Sequence, residues 1–113
     1  MKYELRNDTL TVSFDSFGAE MTSIEDMNGK EYLWCGDKKY WGRHSPVLFP
    51  VVGKPKDNKF TYEGKDYPMG QHGFARDMEF TCTSQASDEI WFVLEANEET
   101  LAKYPFLFKL EIG

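Results

Sequence analysis

A chain of 113 residues, 41% hydrophobic and 16% aromatic, is long enough for one packed domain (residues 1–113) and too aromatic for a disordered tail. Its 13 basic and 19 acidic side chains leave a net charge of −6, scattered as on a solvated surface, which argues against a nucleic-acid partner. No apolar run approaches the roughly 18 residues needed to cross a membrane, and Met1–Asp8 lacks the apolar segment of a signal peptide; a cytoplasmic protein is expected. Cys35 and Cys82 are far apart and lack metal-ligand spacing, so idle thiols are expected rather than a disulfide, with no metal. Asn7-Asp8-Thr9 fits a glycosylation acceptor pattern, which without a secretion signal reads as chance.

Period-two alternation dominates the chain. Tyr3 and Leu5, then Leu10, Val12 and Phe14, flank a polar Asn7-Asp8 turn and predict a β-hairpin with one buried face. Phe17-Gly18 breaks the pattern, and Ala19 to Asp26 resumes it weakly. Asn28-Gly29 predicts a type I′ hairpin turn, with positive φ at both central residues, and Lys30 to Trp34 as the returning strand. Residues 35 to 59 form a long connection rich in Gly, Pro, Asp and Asn. A loop of that length is usually functional or disordered; Trp41, Leu48, Phe49, Val51 and Val52 favour an ordered loop on apolar anchors, with Lys56–Lys59 as its exposed tip.

Farther on, Phe60–Tyr62 and Lys65–Tyr67 flank Glu63-Gly64 as a short hairpin. Met78–Ser84 and Ile90–Ala96 predict two antiparallel strands. Asn97-Glu98-Glu99-Thr100 predicts a capped helical turn that stops near Tyr104, ahead of Pro105. Phe106, Phe108, Leu110 and Ile112 alternate cleanly to the last residues. An apolar-faced strand with nothing after it needs sheet partners and a covering layer. The expected architecture is all-β, an antiparallel β-sandwich, with the chain as the N-terminal part of a longer protein.

Two runs carry the candidate chemistry. Trp41-Gly42-Arg43-His44-Ser45-Pro46-Val47-Leu48-Phe49-Pro50-Val51-Val52-Gly53 holds two prolines and two glycines, which rule out a regular helix or central strand over most of its length. Gln71-His72-Gly73-Phe74-Ala75-Arg76-Asp77 places an imidazole, a glycine and a guanidinium within six residues. Together they suit a pocket for a polar, oxygen-rich ligand.

These runs, in this order, resemble the aldose 1-epimerase (galactose mutarotase-like) family. The resemblance is to its bacterial branch, with a W-x-x-x-x-P-x-L-F-P-x-x-G segment followed by Q-H-G-F-A-R. It extends through Tyr32-Leu33-Trp34 and Tyr104-Pro105-Phe106 and so covers most of the chain. The resemblance implies a large β-sandwich enzyme that interconverts the α and β anomers of a hexose or hexose phosphate. A base takes the anomeric hydroxyl proton while an acid protonates the ring oxygen, with no cofactor.

On that reading His72 is the catalytic candidate, able to donate or accept a proton. The resemblance gives it an assisting role beside a later histidine, the principal acid. Arg43 and Arg76 are the further substrate-binding candidates, since guanidinium donors suit hydroxyls or phosphate; Arg76 could instead pair with Asp77. His44, adjacent to Arg43, is read as structural. Trp34, Trp41, Phe49 and Phe74 could stack on a sugar, although core filling is favoured for Trp34 and Phe49. The family's principal acid and base have no counterpart here, so the chain alone is expected to be inactive. Two other readings are a non-catalytic carbohydrate-binding module and a β-domain that self-associates through an unpaired sheet edge.

Overall fold

Tyr3 and Leu5 alternate with charged neighbours, and this pattern folds as strand β1, Lys2–Arg6, in a computed structural model that describes residues 1–113. β1 pairs antiparallel with β2, Leu10–Asp15, setting Tyr3 opposite Phe14 and Leu5 opposite Val12. The Asn7 side chain makes the turn between them, its Oδ1 accepting the N–H groups of Thr9 at 2.8 Å and Leu10 at 2.7 Å. β3, Glu20–Asp26, pairs with the other side of β2 through a bulge after Ser13.

The turn after β3 differs from the sequence expectation. Only Gly29 takes positive φ, at +77°, and the Gly29 N–H bonds the Asp26 carbonyl at 3.1 Å while the Asp26 N–H bonds the Lys30 carbonyl at 3.0 Å. This is a three-residue loop, Met27-Asn28-Gly29, ending on a left-handed glycine rather than a type I′ pair. The expected return strand, Lys30 to Trp34, shrinks to one bridge between Glu25 and Glu31. Glu31 itself is the reason: its carboxylate accepts from the Ile24 N–H at 2.8 Å, a donor that a paired strand would have used. The type I′ geometry falls instead at Glu63-Gly64, with φ of +49° and +75°. Those residues join β4, Lys59–Tyr62, to β5, Lys65–Pro68, whose Phe60 and Tyr67 rings stack at 5.4 Å.

A third sheet has the order β6, Thr81–Gln85; β7, Ile90–Glu95; β8, Lys109–Ile112. β6 begins later than Met78 because the preceding residues reach back to the first sheet: Glu79 bridges Phe17, and the Phe80 N–H bonds the Ser16 carbonyl at 2.9 Å. β8 likewise starts only at Lys109. Phe106 turns back, its N–H on the Tyr104 carbonyl at 2.9 Å, and its ring meets Tyr62 at 4.8 Å and Tyr104 at 4.9 Å. Helix α1, Glu98–Lys103, has a reciprocal cap in which Asn97 Oδ1 accepts the Thr100 N–H at 3.0 Å and Thr100 Oγ1 accepts the Asn97 N–H at 2.8 Å.

The β1–β2–β3 and β6–β7–β8 sheets face each other, with Phe92 meeting Tyr3 edge-on at 5.4 Å and Phe14 at 6.2 Å. The expected all-β antiparallel architecture is present. Phe74, Met78, Phe80, Ile90, Phe92 and Leu94 form the buried centre. The molecule is flat, 55 × 33 × 18 Å, with a radius of gyration of 16.3 Å against about 13 Å for a compact domain of 100 residues. Both cysteines are free, and no helix is long and apolar enough to cross a membrane.

Candidate functional site

Phe49 ties together the two loops that carry the candidate residues. Its carbonyl accepts the N–H groups of Phe74 at 2.9 Å and Ala75 at 3.2 Å, and its ring packs on Phe74 and Phe108. Gly73 pairs with Phe49 so closely that a Cβ there would lie 2.6 Å from the Pro50 nitrogen. Its φ of +75° is a second reason for glycine at this position. Of the expected apolar anchors only Phe49 and Val51 pack on the core, joined by Val47, whereas Trp41, Leu48 and Val52 are exposed.

Glu20, on β3, fixes the start of that loop. One carboxylate oxygen accepts the N–H groups of His44 at 2.7 Å and Ser45 at 2.9 Å, while Ser45 Oγ donates to the Met21 carbonyl at 2.7 Å. The His44 ring lies over Gly36, where a Cβ would meet it at 2.7 Å. His44 is therefore a packing residue, whereas Arg43 beside it reaches across to the second loop. Arg43 Nη2 reaches Asp77 Oδ1 at 2.9 Å.

His72 occupies the third position of a turn closed by the Gly73 N–H on the Gly70 carbonyl at 3.1 Å. That position takes φ of +63°, as a type II turn requires and as a non-glycine residue seldom adopts. Such strain concentrates at functional sites. Gly53, at the end of the other loop, holds His72 from both sides of the peptide. The His72 N–H bonds the Gly53 carbonyl at 2.8 Å, and the Gly53 N–H bonds His72 Nδ1 at 2.8 Å. Arg76 lies in the following 3₁₀ turn, Ala75–Asp77, and donates from Nη2 to the Gln71 carbonyl at 2.9 Å. Its Nε is buried without a hydrogen-bond partner, 3.9 Å from Asp77 Oδ2.

A cavity of 380 Å³ is lined by Trp41, Pro46, Leu48, Gln71, His72 and Arg76. Beside it a depression of 520 Å³ is lined by Phe17, Glu20, Lys38, Trp41, Gly42, Arg43 and Arg76. His72 and Arg76 thus share one cavity, and Arg43 sits in its neighbour, with Trp41 and Arg76 forming the common wall. The cavity offers the Trp41 indole, three side chains that donate hydrogen bonds and no carboxylate. The depression adds Lys38 and Arg43; its Glu20 is committed to the loop backbone.

One aromatic expectation needs correction, and the open case of Phe74 is decided. Trp34 is 40% exposed, its Nε1 donating to the Trp41 carbonyl at 2.8 Å, so it braces the pocket loop rather than filling the core. Phe74 is 5% exposed and belongs to the core. Sequence reasoning also overlooked Gln71, a wall residue with only its place in the run as a signal. It overlooked Gly53 too, which reads as a turn glycine until its N–H is seen on the imidazole. Asp77 pairs chiefly with Arg43, 34 residues away, rather than with its neighbour Arg76. No group of three His, Cys, Asp or Glu side chains converges as a metal site.

A sequence model of the family described as Aldose 1-epimerase matches residues 1–113. The chain belongs to the aldose 1-epimerase family. Within it, the chain is 37% identical over 117 residues to the chromosomal protein LacX of Lactococcus lactis subsp. lactis, covering 99% of this chain and 39% of LacX. Among solved structures it is similar to the galactose mutarotase related enzyme from Lactobacillus acidophilus, with a TM-score of 0.97 and 41% identity over 98% of this chain and 37% of that one. It also resembles a galactose mutarotase-like protein from Lactobacillus casei, with a TM-score of 0.94 and 37% identity over 98% of this chain and 38% of that one. The fold is therefore part of the galactose mutarotase-like β-sandwich. The chain spans about 39% of the length of the curated relatives it matches.

Proposed function

We propose that this chain is the N-terminal part of a cytoplasmic mutarotase that interconverts the α and β anomers of a hexose or hexose phosphate. The observation that carries the reading is the cavity in which Gln71, His72 and Arg76 stand beside the exposed Trp41 indole. An aromatic face takes the C–H side of a pyranose, and donors take its oxygens. In this reading a base removes the anomeric hydroxyl proton as an acid protonates the ring oxygen, the aldehyde end rotates, and the steps reverse. His72 assists by donating to a sugar oxygen as charge develops there, and Arg76 holds a further oxygen. Arg43 contributes from the adjoining depression, where Lys38, Arg43 and Arg76 favour an anionic substituent such as a 6-phosphate. No carboxylate lines the cavity, so the principal acid and base come from the rest of the family fold, and the 113-residue chain alone leaves anomer exchange at its spontaneous rate.

The same observation supports a second reading, a carbohydrate-binding module that keeps the donors without proton transfer. NMR magnetisation transfer between anomers separates the two. The test protein is this chain completed with the remaining length of the Lactobacillus acidophilus relative, assayed on glucose, galactose and glucose 6-phosphate. Accelerated exchange that falls at least tenfold on His72→Asn supports the mutarotase. A folded chimera that binds sugar without acceleration supports the module and contradicts the enzyme reading. A third reading, self-association through a sheet edge, is motivated by β8, which pairs only with β7. Sedimentation that is independent of concentration would dismiss it.

A further inference from the structure

We propose that Gly53 is a positioning residue that fixes the tautomer of His72, making His72 a hydrogen-bond donor toward the cavity and never the base. The role toward sugar rests on the mutarotase reading; the tautomer does not. A neutral imidazole has one N–H and one lone pair. The Gly53 backbone nitrogen lies 2.8 Å from Nδ1 and can only donate, so Nδ1 supplies the lone pair and the proton sits on Nε2. Turning the ring over would set a carbon against the Gly53 N–H and leave that part-buried donor unpaired. The second bond, from the His72 N–H to the Gly53 carbonyl at 2.8 Å, keeps the two residues in register. Both hold positive φ, +85° and +63°, a geometry suited to glycine and costly for histidine, maintained at a pocket wall.

His72 lines the cavity, and its other ring nitrogen, Nε2, lies beside Gln71, another wall residue. The Gln71 side-chain amide lies 3.5 Å from Nε2, too long for a firm bond. With Arg76 these groups form a set in which donors outnumber acceptors, the Gln71 Oε1 being the only side-chain acceptor among them. Ring and hydroxyl oxygens of a sugar supply the missing lone pairs. A group that can only donate polarises the ring oxygen or stabilises a developing alkoxide, and leaves removal of the anomeric proton to another residue.

The tautomer is read directly by long-range ¹H–¹⁵N correlation on the labelled chain at alkaline pH, with His44 as the internal comparison. We expect His72 Nε2 to carry the proton and Nδ1 to resonate as a bare ring nitrogen. A proton on Nδ1, or a fast average of both forms, would overturn the proposal. Gly53→Ala tests the positioning role, since its Cβ would meet nothing within 4 Å but its φ is strained. It should fold and show mixed tautomers, whereas an unchanged spectrum would show that Gly53 is dispensable for the lock.

Two substitutions then test the donor. His72→Asn can accept the Gly53 N–H at the δ position and tolerates positive φ, but offers nothing at the ε position. His72→Gln carries an amide N–H out to that position. Glucose titration should weaken about tenfold for His72→Asn and only severalfold for His72→Gln. Equal loss or equal retention in both contradicts the donor role. Absence of glucose binding in the unaltered chain would count against the sugar site while leaving the tautomer result standing.

Discussion

Gly73 and Phe49 form a parallel backbone bridge from adjacent loops, with no room at Gly73 for a side chain. The contact is what sets the His72 turn against the loop bearing Trp41. Gly73→Ala forces a Cβ into the Phe49–Pro50 backbone and strains a left-handed residue. The expected cost is about 3 kcal/mol or more, read by chemical denaturation. A loss under about 1 kcal/mol would mean that the loops are not joined as described.

Glu20 should govern the Arg43 loop more than His44 does. Glu20→Ala removes a charged acceptor from two backbone donors and should cost about 2 kcal/mol. It should also raise amide exchange across residues 42–46. His44→Phe, which keeps a ring over Gly36, should leave both measurements close to the unaltered chain. Equal effects of the two changes would contradict the assignment of Glu20 as the anchor.

Much of this arrangement was legible in the residues. Alternation at Tyr3, Leu5, Val12 and Phe14 yields the first hairpin because a half-buried strand has little choice of register. The Gly- and Pro-punctuated run from Trp41 to Gly53 and the Gln71–Asp77 run announced polar chemistry on irregular backbone. What stayed hidden depends on contacts between distant segments. Nothing local distinguishes Asn28-Gly29 from a type I′ turn; the Glu31 carboxylate diverts the returning strand. Arg43 and Asp77 are 34 residues apart, so their pairing follows from the meeting of the loops. The Gly53 grip on His72 involves a backbone donor, which no side-chain pattern reveals.

The hairpin loop after β3 should weaken in acid. The Asp26 carboxyl is held below its ordinary 3.8 by the Lys30 N–H first, then by the Tyr32 hydroxyl, and by the Asn28 N–H. A depressed carboxylate contributes stability that is fully present above its unfolded value and disappears as pH falls through the folded one. The contribution of Asp26 should therefore fade below about pH 4. Asp26→Asn should flatten the thermal-stability profile over that range. An unchanged slope would show that Asp26 is not responsible.

Charge in the depression should discriminate between substrates. If Lys38, Arg43 and Arg76 hold a 6-phosphate, Lys38→Gln should weaken glucose 6-phosphate binding severalfold at low salt while glucose binding stays constant. Matching effects on both sugars would remove the phosphate from the account and leave the neutral hexose.

The most direct measurement is a ¹H–¹⁵N titration of this chain with glucose and galactose. The predicted result is shift changes clustered on Trp41, Gln71, His72 and Arg76, saturating with sugar and independent of protein concentration. Changes centred elsewhere, or none at saturating sugar, would contradict the assignment of this cavity as the hexose site.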